Sequence, residues 1–486
     1  MTKFDAARLR LVMAQELRLL LAERSLWLAG GLFLLLIGYA LYNGLHQTAL
    51  RDRAQAAIVA DDAQTRAGQL AFLRRILAGQ DKPAPFQNPA DPARMASGYG
   101  AQHALMPSAP LTPVALGQTD LFPGQFKVTH QSKIHFIHNN DIENPWHLLS
   151  GHFDLAFVIV YLLPLLIFAL SYNLLSAERE SGTLRLLLSQ PLALGTLVAG
   201  KIAVRAGVLL GLAVGVPVAV LLLARPQALA AGEATLWWAL LVGAYALFWF
   251  ALVVAVNAFG RASATNAMVL VIAWVVLVLI APVLLNLVVT TVSPAPSRTE
   301  LATRTRLVTV EAMNRYSKLL AADYRYMAEP DVLVPRNGRI EMSGRSLASW
   351  RIQKQVDQEI QPELDRFDAQ QARQQQLVAR YSFVSPAALA YESMTALAGT
   401  GARRYGHFMQ QINGYHAAWR GFFTPRIDGG IALAEADFAS IPRFVWQEES
   451  NALLRVQAAR SLALLLLPCA FLLGLALWRL RRYSVV

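Results

Sequence analysis

The chain carries the charged stretch Glu178-Arg-Glu180-Ser-Gly182-Thr183-Leu184-Arg-Leu-Leu187-Leu188-Ser-Gln-Pro191 between two long apolar runs. Its Ser-Gly-Thr unit supplies side-chain oxygens of the kind that start helices, and Pro191 ends a helix after about two turns. Leu184, Leu187 and Leu188 are spaced i, i+3, i+4 and therefore share one helix face. The stretch predicts a short helix at a membrane surface. An ordinary loop between two spans is the alternative that these local signals leave open.

The composition places the stretch in a membrane protein. Of the 486 residues, 55% are hydrophobic and 16% are charged. This is too apolar for a soluble enzyme and too charged for a bundle of spans alone, so we expect spans together with large aqueous segments. The single cysteine, Cys469, excludes a disulfide framework and a cysteine-based metal site.

Apolar runs separated by polar segments predict an α-helical integral membrane protein with six transmembrane helices and two mainly helical aqueous domains. The expected spans cover 25–45, 153–175, 202–223, 236–259, 268–292 and 461–478, and the aqueous domains cover 46–150 and 293–456. An interfacial helix is expected over 1–24, a surface helix over 177–192 and a short tail over 479–486. Within the second aqueous domain we expect a long helix over 346–381, broken at Pro362.

The basic charge also has a membrane explanation. On this layout the segments on one side of the membrane hold thirteen Lys and Arg against five Asp and Glu, which accounts for eight of the net +12. Positive charge is retained on the cytosolic side of membrane proteins, so both termini are expected there and a nucleic-acid partner is not required.

Neither a nucleotide site nor an ion-driven pathway is indicated. Gly195 to Lys201 has the spacing of a phosphate-binding loop, but Ile202 stands where the Mg²⁺ site needs Ser or Thr, and a buried strand does not precede it. The few ionisable residues in the spans, Asp154, Lys201 and Arg205, lie near span ends. We therefore expect a protein that has no ATPase site of its own and takes its energy from a partner.

A group of histidines keeps an enzymatic alternative open. His130, His135, His138 and His147 lie close to Asp141 and Glu143 in the first aqueous domain. Imidazole and carboxylate suit Zn²⁺ or Cu²⁺, and His135 and His138 are the candidate ligands, although the spacing matches no closed metal motif. Exposed polar positions on an edge strand explain the same residues. A metal-binding or metal-dependent enzyme domain on a membrane anchor, and a membrane scaffold or sensor, remain as alternatives.

The stretch from Leu175 to Lys201 resembles the signature of type 2 ABC export permeases. The matching residues are Glu178-Arg-Glu180-Ser-Gly182-Thr183-Leu184, then Leu186 to Pro191, and Gly200-Lys201. The whole chain is similar to a subgroup grouped with permeases of multicopper-enzyme maturation, which carry large insertions after the first and fifth spans. That similarity is carried by Asn144-Pro145, Gly151-His-Phe-Asp154, Tyr161 to Ile167, Phe383 to Pro386, Leu397 to Gly401, His416 to Arg420, Asp437-Phe438 and Ile441 to Phe444.

The resemblance implies the membrane subunit of an ABC exporter in a bacterial inner membrane, with both large insertions in the periplasm. It implies two copies of a separate ATPase, which would bind ATP and Mg²⁺, and a second permease, identical or paralogous, that completes a dimer within the membrane lipids. The segment 177–192 would be the coupling helix. The residues that would transmit the ATPase motion are Glu178, Glu180, Gly182, Thr183, Leu184, Leu187, Leu188 and Pro191.

Overall fold

The computed structural model describes residues 6–84, 86–117, 119, 123–133, 153–190, 192–226, 231–294, 297–320 and 329–483, and they are mostly helical. Six helical segments in this part of the chain are long and apolar enough to cross a membrane. In chain order they cover Leu26–Leu77, Leu155–Glu180, Leu194–Ala224, Gly232–Asn257, Ser263–Val292 and Asn451–Leu480. The chain is a multi-pass α-helical membrane protein.

The second and fourth spans form the centre of the bundle. About two thirds (67%) of the most apolar part of each is buried, against 11% for the fifth span. Trp249 of the fourth span is fully buried and stands edge-on to Phe168 of the second, with 5.5 Å between ring centroids. The other spans leave large apolar side chains exposed, as expected of helices that face lipid or another membrane protein.

Three spans contain a widened π-helical turn just before a proline. These turns are Val158–Leu162, Gly211–Gly215 and Val275–Ile280, and they precede Pro164, Pro217 and Pro282. Proline has no backbone N–H to give to the preceding turn, so one carbonyl loses its partner there. In the second span the Tyr245 hydroxyl donates to the carbonyl oxygen of Val160, four residues before Pro164, at 2.7 Å. A side chain of the fourth span thus replaces the missing bond.

The first span does not end at the membrane. Its helix, Arg24–Leu77, has 54 residues, and at about 1.5 Å per residue it is ~80 Å long, far more than a bilayer requires. The span predicted over 25–45 is therefore the start of a helix that continues into the aqueous region. The charges that begin at Arg51 mark the change of surroundings, and the backbone remains helical.

The two aqueous segments predicted as separate domains pack around one hydrophobic core. Leu73 and Phe126 of the first segment lie in one buried cluster with Trp350, Phe408 and Trp419 of the second. The Trp419 indole N–H donates to the Ala96 carbonyl at 3.1 Å, which joins the segments through a buried hydrogen bond. We call this single unit the head, the end of the bundle that carries it the head face, and the opposite end the tail face.

The head is built mainly from helices. They are Pro92–Ala96, Arg298–Arg315, Ser317–Leu320, Gly344–Tyr381, Ala402–Asp428 and Asp437–Ser440, with 3-10 turns at Thr112–Val114 and Pro330–Leu333. The 3-10 turn Ser382–Val384 and helix Pro386–Leu397 leave the head and enter the bundle. A two-stranded antiparallel sheet pairs Gln102–Leu105 with Gln125–Val128, and Ala104 lies opposite Phe126. We refer to Arg298–Arg315 as the ascending helix and to Gly344–Tyr381 as the long head helix.

The predicted break at Pro362 is wrong, because the long head helix runs through that proline without interruption. Ile360, Leu364 and Phe367 are buried on both sides of it, in a cluster with Leu301 of the ascending helix. Burial of three large side chains contributes several kcal/mol, which exceeds the ~3 kcal/mol that a proline costs inside a helix.

Helix Pro386–Leu397 lies among the spans, although the sequence places it inside the second aqueous domain, 293–456. Ala387, Leu389 and Met394 belong to the same buried cluster as the second and fourth spans. Ser385, which caps the helix, donates its hydroxyl to the carbonyl oxygen of Leu277, near the middle of the fifth span, at 2.7 Å. Its apolar composition with small residues suits close packing between helices. The chain therefore re-enters the bundle from the head face and turns back.

Candidate functional site

The connection between the second and third spans contains two short helices, Ser176–Glu180 and Thr183–Ser189, where the sequence predicts one surface helix over 177–192. Gly182 separates them with a φ of +74°, a left-handed conformation that only glycine adopts without strain. A residue with a side chain there would oppose the sharp change of direction. We call Thr183–Ser189 the connecting helix.

Glu178 ties the connection to the third span. One of its carboxylate oxygens accepts from Lys201 Nζ at 3.0 Å, and the other accepts from the Thr183 hydroxyl. Lys201 also donates to the Leu174 carbonyl at 3.4 Å, and its side chain is only 9% exposed. Loss of Glu178 would leave a buried lysine without its counter-charge, which is strongly unfavourable.

Glu180 ties the connection to the fifth span. Its carboxylate accepts from the backbone N–H of Ser263 at 2.7 Å and from the Ser263 hydroxyl at 2.9 Å. Ser263 is the first residue of the fifth span, where backbone N–H groups lack partners within the helix and attract negative charge. Arg179 donates to the carbonyl of Gly260, in the short connection that precedes the fifth span. The two glutamates of the motif thus hold two different spans.

The connecting helix packs against the bundle through Leu184. Leu184 is 1% exposed and lies in a tail-face cluster with Leu197, Val254 and Ala476, from three different spans, while Leu187 is half-buried against that cluster. Leu186 instead is 71% exposed. Leu184 is therefore packed inside the protein, and its role in transmitting the motion of an ATPase stays a prediction. The Leu188 side chain and Pro191 lie outside the described residues.

Sequence reasoning missed Leu186, although helix geometry places it on the side of the helix opposite to Leu184. Leu186 follows Leu184 by two residues, about 200° around a helix, so the two side chains point to opposite sides. The face that carries Leu186 also carries the exposed residues Arg185 and Ser189. This face is apolar at one position and positively charged at another.

The amino-terminal helix, Ala6–Ala22, packs against the third span at the tail face. A Cβ atom on Gly200 would lie 2.5 Å from Val12 Cγ1, so glycine permits the close approach of the two helices. Glu16 is 3% exposed and pairs with Arg205, whose Nε and Nη2 atoms lie 2.9 and 2.6 Å from its carboxylate oxygen. The sequence indicates this contact, because the charged residue Glu16 lies on the otherwise apolar face of the amino-terminal helix.

The candidate metal ligands His135 and His138 lie outside the described residues. His130 is buried, and burial lowers its pKa to about 4. His416, which bonds to the Gln131 carbonyl at 2.9 Å, has its pKa lowered to about 4 for the same reason. Both imidazoles are therefore neutral at physiological pH. Among the described residues, no three or more His, Cys, Asp and Glu side chains are grouped to hold a metal ion.

The segment with phosphate-loop spacing forms no loop. Gly195 to Lys201 lies within helix Leu194–Leu210 of the third span, and the lysine is already paired with Glu178. A phosphate loop requires consecutive backbone N–H groups that point at the ligand, whereas here the N–H groups of Thr196 and Leu197 already bond to the Ala193 carbonyl and the later ones belong to the helix. The segment therefore does not have the geometry of a phosphate loop.

Comparison with known proteins identifies one region of the head. Residues 346–447 match a family described as "Domain of unknown function (DUF3526)". The match includes most of the long head helix, the helix that re-enters the bundle and helix Ala402–Asp428. No curated protein matches the chain. The matched region thus joins the core of the head to the centre of the bundle.

Proposed function

We propose that this chain is the membrane-spanning permease subunit of an ATP-driven ABC exporter. In this proposal it moves a substrate across or out of the bacterial inner membrane, with the tail face and both termini in the cytosol and the head in the periplasm. Two copies of a separate ATPase supply the energy, and a second permease, identical or paralogous, completes the transporter.

The observation that carries the proposal is how the connecting helix is held. It lies at the tail face, and Leu186 is the exposed apolar residue among its described side chains. The segment is attached to spans at three points: Glu178 to the third, Glu180 to the fifth, and Leu184 to a cluster of spans. A loop that only connected two spans would need none of these attachments.

The attachments suit the transmission of force. A partner that pushed on Leu186 and Arg185 would move the short helix as a body, because buried leucine packing resists local deformation. The Lys201 and Ser263 bonds would pass this displacement to the third and fifth spans. Rigid tilting of packed helices is an established way of switching a cavity between two sides of a membrane.

The proposal assigns nucleotide chemistry to the partner. Lys201, the basic residue in the phosphate-loop spacing, is paired with Glu178, and its side chain is only 9% exposed. In this proposal ATP and Mg²⁺ bind the ATPase subunits alone, and this chain is a transport subunit and not an enzyme.

Purification with a candidate ATPase tests the proposal. We expect the ATPase encoded beside this chain to co-purify with it, and its activity to rise when the two are reconstituted in lipid. Leu186→Asp should abolish that rise, because a charge would replace the exposed apolar contact. Leu77→Asp, which changes an exposed leucine of the head, is the matched control and should leave the rise intact. The proposal is wrong if no ATPase associates, or if Leu186→Asp stimulates it normally.

A further inference from the structure

The ascending helix, Arg298–Arg315, has two apolar faces. One face carries Leu301 and Ala312, which are buried against the long head helix. The opposite face carries Leu307, Val310 and Met313, which are 67%, 51% and 47% exposed. A helix on the surface of a protein needs one apolar face to pack on its own core. The second face therefore indicates a further contact.

Lipid does not explain the second face, because the helix rises away from the membrane. Near its start, Gln370 Nε2 donates to the Pro294 carbonyl at 2.7 Å, and further along Arg304 Nε lies 4.0 Å from Glu363 Oε1. The ascending helix therefore follows the long head helix away from its Tyr381 end, which lies beside the fifth span. At 1.5 Å per residue, Val310 is about 18 Å beyond Arg298.

We propose that this second face, Leu307, Val310 and Met313, packs in parallel against the same face of a second copy of this chain. The inference rests on the proposed function in one respect, since it takes the two permease halves to be identical. Two copies inserted in one membrane with the same orientation are related by an axis along the membrane normal. Helices that rise beside such an axis run parallel and in register.

The residues on this face have the pattern of a short parallel coiled coil. With Leu307 at position a, Val310 falls at d, and Thr303 and Asn314 occupy the neighbouring d and a positions. Arg306 then stands at g and Glu311 at e of the following heptad, which meet across the interface of a parallel pair. Both residues are exposed and carry opposite charges, and Glu311 also pairs with Arg315 of its own helix at 3.3 Å. Self-pairing thus buries the apolar residues and brings complementary charges together.

The exposed face of the fifth span supports the same partner. Val283, Leu287 and Val288 are 57–66% exposed in the span that leads into the ascending helix. This span is the least buried of the six. A second copy that packs against the fifth span would also contact the ascending helix, so the two regions would form one continuous interface.

Disulfide formation in native membranes tests the inference. The natural cysteine is replaced with Cys469→Ala, and Val310→Cys is compared with Ala302→Cys, an exposed residue of the same helix that points away from the proposed seam. Oxidation should give disulfide-linked homodimers from Val310→Cys at about tenfold or higher yield, because a disulfide requires Cα atoms within ~7 Å. Arg306→Glu should lower the yield several-fold, and adding Glu311→Arg should restore it.

Four results would overturn the inference, and the first is that Val310→Cys gives no cross-linked homodimer. Equal yields at the two positions would indicate random collision, and a product that contains another polypeptide would assign the face to a different partner. Quenching of a fluorophore at Val310→Cys by lipid-borne nitroxides would assign it to the bilayer. ATPase co-purification is measured in the same membranes. If the ATPase associates and Val310→Cys fails to cross-link, only this inference is wrong, whereas cross-linking without the ATPase would contradict the proposed function alone.

Discussion

Arg205 and Glu16 form an ion pair that protein almost completely encloses, with Nη2 2.6 Å from Oε1 and side chains 9% and 4% exposed. Arg205 also donates to the carbonyl of Leu170, so one guanidinium joins the amino-terminal helix to the second and third spans. A charge in such surroundings is tolerated only because it is paired. The pair makes the amino-terminal helix part of the tail-face structure.

Glu16→Gln is therefore expected to destabilise the protein by about 3–5 kcal/mol, because it leaves a buried arginine without a counter-charge. Thermal unfolding in detergent, followed by tryptophan fluorescence, measures this loss. Replacing both residues, with Glu16→Met and Arg205→Met, should recover much of the stability, since no uncompensated charge remains. A Glu16→Gln protein as stable as the wild type would show that the pair is dispensable.

Gly200→Ala is expected to destabilise the packing of the amino-terminal helix by about 1–3 kcal/mol, the cost of overpacking a filled contact. The added Cβ would stand 2.5 Å from Val12 Cγ1. Val12→Ala should relieve the clash and restore most of the loss. Gly207→Ala is the control in the same helix, because nothing lies within 4 Å of its Cβ position. Helix propensity predicts that this control is neutral or slightly stabilising, and equal effects at the two glycines would contradict the packing argument.

Tyr245→Phe is expected to cost about 1–3 kcal/mol by leaving the Val160 carbonyl without a donor inside the bundle. The hydroxyl is fully buried at the π-helical turn before Pro164, where the backbone cannot supply the missing N–H. Tyr42→Phe, at an exposed tyrosine of the first span, controls for loss of the hydroxyl itself. The midpoint of unfolding in detergent should fall only for Tyr245→Phe.

Hydropathy and charge predict where the spans lie and where the connection between the second and third spans lies, because these features depend on local composition. Prediction from the sequence fails where packing between segments that are distant in sequence decides which side chains are buried. Leu184 and Leu186 are the same residue type, and only the cluster of three spans beneath the connection distinguishes the buried one from the exposed one. In the same way, the shared core of the head depends on contacts such as Trp419 with Ala96, 323 residues apart in sequence. No local pattern encodes such a pairing.

The head should lose stability as the pH falls, and His130 is expected to be a main cause. Burial lowers its pKa to about 4 from an ordinary 6.5, so the unfolded chain binds a proton between these values and the folded head does not. The contribution is fully present above pH 6.5 and is lost progressively toward pH 4, amounting to about 3 kcal/mol. The pKa of His416 is lowered in the same direction. The positive charge of Arg420, which is paired with Asp357, also lowers the pKa of both histidines.

His130→Phe separates this effect from general acid sensitivity. Among the described residues, neither ring nitrogen of His130 has a hydrogen-bond partner, and the ring lies 5.4 Å from that of Trp350. Phenylalanine should therefore fit without loss at neutral pH. The variant should therefore match the wild type at neutral pH and exceed its unfolding temperature near pH 5. His46→Gln, at an exposed histidine, should follow the wild type throughout. A His130→Phe curve parallel to that of the wild type would mean that His130 takes up its proton without loss of the fold.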